Sequence, residues 1–319
     1  MRFPWRFSLR SVLAPRVALG APASGRVAAP LFDADFRQKL QTLSIVSRRV
    51  ASSGLRGERR SRQLGVGQEF ADYRDYAPGD DVRAVDWNVF RRLGRLLVRQ
   101  YEEQRDLGVH ILLDCSASMG VGTGLKFAQA RRLAAALAYI GLSALDRVTV
   151  LGFADGQVAR FPMVRGKGNY LALERFFLGL QARGAGQLEA AARALIARHR
   201  QAGVVILISD LLDPEGVGRA LDVLRFARFE PWVLHLASPE DAEAPGFGEM
   251  KLVDCETGEE RIVVVTANVV AEAKRRVEAL AQQAQHECRR RQVPWRTLDA
   301  TLAIEEQVLQ LLRAGSMLQ

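Results

Sequence analysis

Asp114-Cys115-Ser116-Ala117-Ser118 sets one carboxylate and two hydroxyls at alternate residues. In a tight loop all three can turn to one side. Such oxygens are hard donors, suited to Mg²⁺ or Mn²⁺. Ser209-Asp210 offers a second carboxylate far along the chain. Both groups follow short apolar runs: Val109-His110-Ile111-Leu112-Leu113 leads into Asp114, and Val204-Val205-Ile206-Leu207-Ile208 leads into Ser209. Asp114, Ser116, Ser118 and Asp210 are therefore the candidate metal ligands. The five-residue string recurs by chance, and its placement after an apolar run is what gives it weight.

Other chemistry has less support. Gly120-Val121-Gly122-Thr123-Gly124-Leu125-Lys126 is rich in glycine but is neither Gly-x-Gly-x-x-Gly nor a Gly-Lys-Ser/Thr loop. It reads as a turn before a helix. No Gly-x-Ser-x-Gly elbow surrounds Ser116. Cys115 as a nucleophile needs a paired histidine. His110 lies within an apolar run, and His199, His235 and His286 fall on separate elements. No catalytic residue is assigned.

The elements that position the candidates follow from the apolar pattern. Strands are expected at 109–113, 148–153, 204–208, 232–236 and 294–298, with an alternating edge strand at 157–164. Helices are expected at 33–53, 125–145, 170–180, 189–200, 215–229 and 269–290, and from Ile304 onward. Residues 249–265 read as a hairpin turning at Glu256-Thr257-Gly258. Apolar strands alternating with helices imply a doubly wound, mostly parallel α/β sheet covered on both faces. In such sheets ligands bind at the carboxyl ends of the strands, which is where Asp114 and Asp210 stand.

The chain has 319 residues, 48% hydrophobic and 25% charged, an ordinary globular composition. No apolar run reaches the ~18 residues of a membrane span. The net charge is +9, but residues 1–30 carry five arginines and no acid. The remainder is only mildly basic, which argues against a nucleic-acid binder. Residues 1–30, with Pro4, Pro15, Pro22 and Pro30, are expected to be a disordered basic tail. Cys115, Cys255 and Cys288 are sparse and odd in number, which fits a reducing compartment. The expected organisation is a tail at 1–30, a small lobe at 31–106 and an α/β domain at 107–319.

Two further patches attract interest. Arg56, Arg59, Arg60 and Arg62 face only Glu58, and such a cluster is either a solvated loop or a docking patch for an acidic partner. Residues 70–83, Phe-Ala-Asp-Tyr-Arg-Asp-Tyr-Ala-Pro-Gly-Asp-Asp-Val-Arg, followed by Asp86-Trp87, mix charges and aromatics too irregularly for one amphipathic element. They suit a lobe held by Arg–carboxylate pairs around Tyr and Trp, or an exposed aromatic surface.

Asp114-x-Ser116-x-Ser118 after a first strand, with Asp210 after a later one, resembles a von Willebrand factor A (vWA) domain. The block at 70–87 resembles the hallmark of a bacterial branch, domain-of-unknown-function family 58. The resemblance implies a vWA/Rossmann-like fold with a metal-ion-dependent adhesion site, usually holding Mg²⁺. It also implies a Thr ligand from a third loop. The matching stretch, Arg183-Gly184-Ala185-Gly186-Gln187-Leu188, has none, and no Ser or Thr occurs between Thr149 and Ser209. Gln187 carbonyl, Asp155 or water would stand in for it. The family is often linked with MoxR-type AAA+ ATPases. The resemblance therefore implies a non-catalytic, cytoplasmic adaptor or co-chaperone; the two patches above make Arg56, Arg59, Arg60 and Trp87 its candidate partner-binding residues. A metal-assisted hydrolase using the same carboxylates is the alternative.

Overall fold

The computed structural model describes residues 31–45, 69–78, 80, 82, 85–102, 108–199, 203–242, 246–313 and 318. The basic tail and the Arg56, Arg59, Arg60 patch lie outside them. The chain divides into two compact units, Met1–Ser47 with Leu107–Gln319, and Arg48–Asp106.

In chain order, α1 is Ala34–Leu40, β1 Glu69–Asp75, α2 Trp87–Leu93 and β2 Leu97–Glu102. There follow β3 Gly108–Asp114, α3 Leu125–Ser143, β4 Arg147–Ala154, β5 Gln157–Arg165, α4 Tyr170–Gly179 and α5 Leu188–Arg198. Then come β6 Val204–Ser209, α6 Pro214–Phe226, β7 Glu230–Ala237, β8 Gly248–Val253, β9 Glu260–Val265, α7 Ala267–Arg290, β10 Trp295–Asp299 and α8 Ile304–Arg313.

The apolar runs form one six-stranded sheet in the order β10-β7-β6-β3-β4-β5. Neighbours pair in parallel except β5, which closes the edge antiparallel to β4. Alternate strand residues feed two separate cores. Val109, Ile111, Leu113, Val204 and Ile206 pack with α1, α3, α4 and α8. Leu112, Val205, Leu207 and Val233 pack with α5, α6 and α7. Both faces are covered, so the strands are apolar throughout rather than alternating. Each fully buried aliphatic side chain contributes roughly 1.5–3 kcal/mol.

Helix α1 differs from the expected helix at 33–53. Asp33 caps it, accepting Phe36 N–H at 2.7 Å, and Phe36 and Leu40 are buried. The helix stops at Leu40, however, and a turn follows. Thr42 Oγ1 donates to the Lys39 carbonyl, and Ile45 then forms a β-bridge with Leu318. Pairing of a buried apolar residue with a distant segment overrides the local helical period.

Strands β8 and β9 form an antiparallel pair inserted between β7 and α7. Buried Asp254 builds the turn. Its Oδ1 accepts Glu256 N–H at 2.8 Å and Thr257 N–H at 2.9 Å.

In the smaller unit β1 and β2 pair antiparallel, with α2 between them in sequence. Asp86 caps α2 through Asn88 N–H and Val89 N–H, and Tyr73 Oη donates to its Oδ2 at 2.8 Å. Asp80 pairs with Arg74 at 2.8 Å, and Asp75 with Arg95 at 3.0 Å. Asp75, Asp80 and Asp86 thus act as caps and clamps. Trp87 is 54% exposed, edge-on to Phe90. No helix among the described residues is long and apolar enough to cross a membrane.

His110 carries a testable consequence. It is fully buried on β3 against His199 and Phe229. Burial, helped by the charges of His199 and Arg147, pushes it down to about 3. The unfolded chain takes up this proton near the ordinary value of about 6.5, and the folded one does not. Stability is therefore intact above about pH 6.5 and falls by about 1.4 kcal/mol per pH unit below it. His110→Phe is expected to flatten the acid limb of a urea-melt series between pH 6.5 and 4.5. An unchanged limb would refute this.

Candidate metal centre at the strand ends

Strands β3 and β6 are neighbours, so Asp114 and Asp210 meet at one sheet edge. From β3 the chain moves to β4 on one side and later returns to β6 on the other. The crevice at such a reversal is where parallel sheets bind ligands. Asp114, Ser116, Ser118, Ser209 and Asp210 line a cleft there, together with Phe153, Leu188 and Val217.

All four expected ligands are brought together, and all are buried. Asp114 Oδ1 accepts Ser116 N–H at 2.8 Å, and its Oδ2 accepts Ser209 Oγ–H at 2.6 Å. Ser116 Oγ and Ser118 Oγ lie 2.9 Å apart. Ser118 also bonds Asp210. Burial first, and then the charge of Asp210, push the Asp114 carboxyl up to about 6. Its hydrogen bonds come from neutral groups. Among the described residues no cationic side chain bonds it.

Asp210 is different. Lys126, only 2% exposed, donates to Asp210 Oδ2 at 2.8 Å and to Asp241 Oδ1 at 2.7 Å. Burial would raise Asp210, but the Lys126 ammonium outweighs it and holds the carboxylate below its ordinary range. Burial would likewise lower Lys126, yet Asp210 and Asp241 hold its pKa raised. The same loops are tied again by Glu240, which accepts Thr123 N–H at 2.9 Å.

The sequence alone does not single out Lys126. The glycine-rich stretch before it reads as a turn, and it brings the chain into α3, where Lys126 bonds Asp210. The one available signal is a lysine in the first turn of a helix otherwise rich in Ala and Leu.

The third loop is held against the first. Ala117 N–H donates to Gly184 O, and Arg183 N–H to Cys115 O, each at 2.8 Å. Asp155 accepts Ala185 N–H at 2.6 Å. Gly184 has φ +67°, and a Cβ there would overlap the Asp155 carboxylate, so only glycine fits. These contacts set Gly186 beside the site. A Cβ built on it would lie 3.5 Å from Ser116 Cβ and 3.6 Å from Asp114 Oδ2. Of the suggested stand-ins for a Thr, neither Asp155 nor Gln187 lines the cleft. Asp155 is taken by Ala185, and Gln187 O accepts Ala191 N–H to begin α5.

Among the described residues no three His, Cys, Asp or Glu side chains gather as a metal cluster. The donor set is two carboxylates with serine hydroxyls. It fits a hard divalent ion in charge and in oxygen chemistry, while leaving coordination positions to be filled by water or a partner. Trp87 lies in the smaller unit, apart from these residues in sequence.

The family described as "Protein of unknown function DUF58" matches residues 72–287, more than half of the chain. The chain belongs to the DUF58 family. Relatives of this DUF58 protein include uncharacterised proteins of Mycobacterium tuberculosis and Mycobacterium bovis. Each is 31% identical over 224 residues, 69% of this chain and 70% of the relative. Among solved structures it is similar to BatB, a conserved hypothetical protein from Bacteroides thetaiotaomicron, with TM-score 0.41 and 17% identity over 66% of this chain and 97% of that one. It is also similar to proximal thread matrix protein 1 of the mussel byssus, with TM-score 0.35 and 13% identity over 41% of this chain and 38% of that one.

Proposed function

We propose that this DUF58 protein is a non-catalytic, cytoplasmic protein-binding module of doubly wound, vWA-like design. Asp114, Ser116, Ser118 and Asp210 would hold Mg²⁺ or Mn²⁺. The observation that carries the reading is Asp114: a buried carboxylate, bonded only by neutral donors, facing two hydroxyls in an open cleft. Burying a charge without a counter-charge is costly, and a hard cation removes that cost. When bound, the ion supplies a positive centre with an open position for a carboxylate oxygen of a partner.

The chain's own groups then have distinct tasks. Ser116 N–H and Ser209 Oγ fix the Asp114 carboxylate. The Ser116 and Ser118 hydroxyls turn as donors or acceptors as the site requires. Lys126 holds Asp210 ionised and aimed. The resemblance points to a MoxR-type AAA+ ATPase, or its client, as partner. Arg56, Arg59 and Arg60 would speed the encounter with an acidic surface at low salt, and Trp87 offers an exposed aromatic contact.

The test is capture of the purified cognate ATPase with and without chelator. Loss of capture with chelator and in Asp114→Ala, and only slower capture in Arg59→Ala, is the expected result. Capture that survives both and fails in Trp87→Ala would move the interface to the smaller unit.

Gly186 gives a second test. Its Cβ position is in ordinary van der Waals contact with the site and needs no special backbone. Gly186→Thr would return a hydroxyl to the third loop. Mn²⁺ affinity by calorimetry is expected to rise about tenfold. An unchanged affinity would count against the ion's placement.

A further inference from the structure

We propose that the smaller unit carries a lipid-docking face, with α2 seated in the surface of an anionic bilayer. The proposal goes beyond the metal reading and does not depend on it. Around the seven residues of α2, Trp87, Val89, Phe90 and Leu93 take one half of the helix, and Asn88, Arg91 and Arg92 the other. An apolar half of this kind ordinarily faces a core. Here no residue of the helix is buried. Trp87 is 54%, Phe90 39% and Leu93 67% exposed. So short a helix is not stable by itself, and its ends hold it in place of packing. Asp86 caps the start through Asn88 N–H and Val89 N–H. Gly94, at φ +67°, closes the end by donating its N–H to Phe90 O at 2.8 Å. The result is a raised ridge with its apolar side chains in the open.

Charge decides what covers it. Residues 87–96 carry three arginines and no acid. Arg95 pairs with Asp75, whereas Arg91 and Arg92 are exposed and make no ion pair among the described residues. A second copy meeting this face across a two-fold axis would set these arginines against their own kind. An acidic protein is the other candidate. A ridge about 10 Å long supplies it with little of the roughly 800 Å² per side that a stable interface takes. A bilayer makes no such demand. Trp, Phe and Leu enter the boundary between headgroups and acyl chains, while arginine stems lie along the apolar layer and their guanidinium groups reach the anionic phosphates. Insertion and charge are the two signals that peripheral anchoring combines.

The test uses the full chain with vesicles of phosphatidylcholine alone, or of phosphatidylcholine and phosphatidylglycerol in equal parts. Binding to the mixed vesicles only, weakened by salt and indifferent to chelator, is the expected result. Trp87→Ala is expected to lower the partition coefficient about tenfold, and Arg91→Gln together with Arg92→Gln about thirtyfold. None of these side chains is buried, so melting should match the wild type. Spin-labelled lipid should quench part of the tryptophan emission in the wild type, and that part should vanish in Trp87→Phe, which still binds. Quenching that persists in Trp87→Phe, or partition unchanged in both the Trp87→Ala and the arginine variants, would overturn the proposal and leave any vesicle binding to another basic segment. No vesicle binding by the wild type would overturn it too, and loss of ATPase capture in Trp87→Ala would then give the face to an acidic protein.

Discussion

Asp114→Asn is expected to abolish Mg²⁺ and Mn²⁺ binding and, at the same time, to stabilise the cation-free protein at pH 7. The folded chain holds the Asp114 proton up to about pH 6, whereas the ordinary value is 3.8. A carboxyl raised by folding favours the folded state only while it is protonated. Its contribution falls as pH rises from about 4 to about 6, and above that the full cost of the buried charge is present. A rise of that size corresponds to about 1–3 kcal/mol. Asn keeps the shape of the group. Its oxygen can still accept Ser116 N–H, and its amide can donate to Ser209 Oγ.

Thermal melts at pH 7 without cation should therefore place Asp114→Asn above wild type, with the gap closing at pH 5. Added Mg²⁺ should raise the wild type alone, since only a form that binds gains from the ligand. A cation-free Asn variant less stable than wild type at pH 7 would refute the uncompensated charge. One still stabilised by Mg²⁺ would refute the metal site. His110 produces an opposite slope in the same pH range, but it is common to both proteins and cancels in the difference.

Lys126→Met should have the largest effect on stability. It removes the ammonium from two carboxylates at once, and Asp210 is only 4% exposed, so little water replaces it. Deleting one partner of a buried ion pair costs about 3–5 kcal/mol, because the remaining charge is stranded. Lys126 also joins three segments: the start of α3, the end of β6, and the Pro239–Ala242 turn after β7. Chemical denaturation should show a lower midpoint with an unchanged slope. Adding Asp210→Asn to Lys126→Met is expected to recover much of the loss, since the stranded charge goes with it. A double variant as unstable as the single one would assign the effect to lost packing of the lysine stem.

The apolar runs alone determined the strands and most helices of the larger unit. A segment buried on both faces must be apolar along its whole length, and a helix on one face must show its period, so local pattern carries that information. The strand at 204–208 and the helix from Leu125 needed nothing else. Helix 33–53 failed at the point where a distant partner competed: Ile45 left the helical pattern to bridge to Leu318.

The candidate oxygens were legible because they stand where strands stop. Their convergence was not, since Asp114 and Ser209 are 95 residues apart and only the pairing of β3 with β6 joins them. Lys126 reaches Asp210 across 84 residues and Asp241 across 115. Gly186 and Glu256 come to the same cleft from two further loops. Spacing along the chain reports which face a residue takes within its own element. Charge balance sums over every group within a few ångströms, whatever its place in the sequence. That is why the oxygens of the site were readable in one dimension, while the ammonium that balances Asp210 was decided only by the tertiary structure.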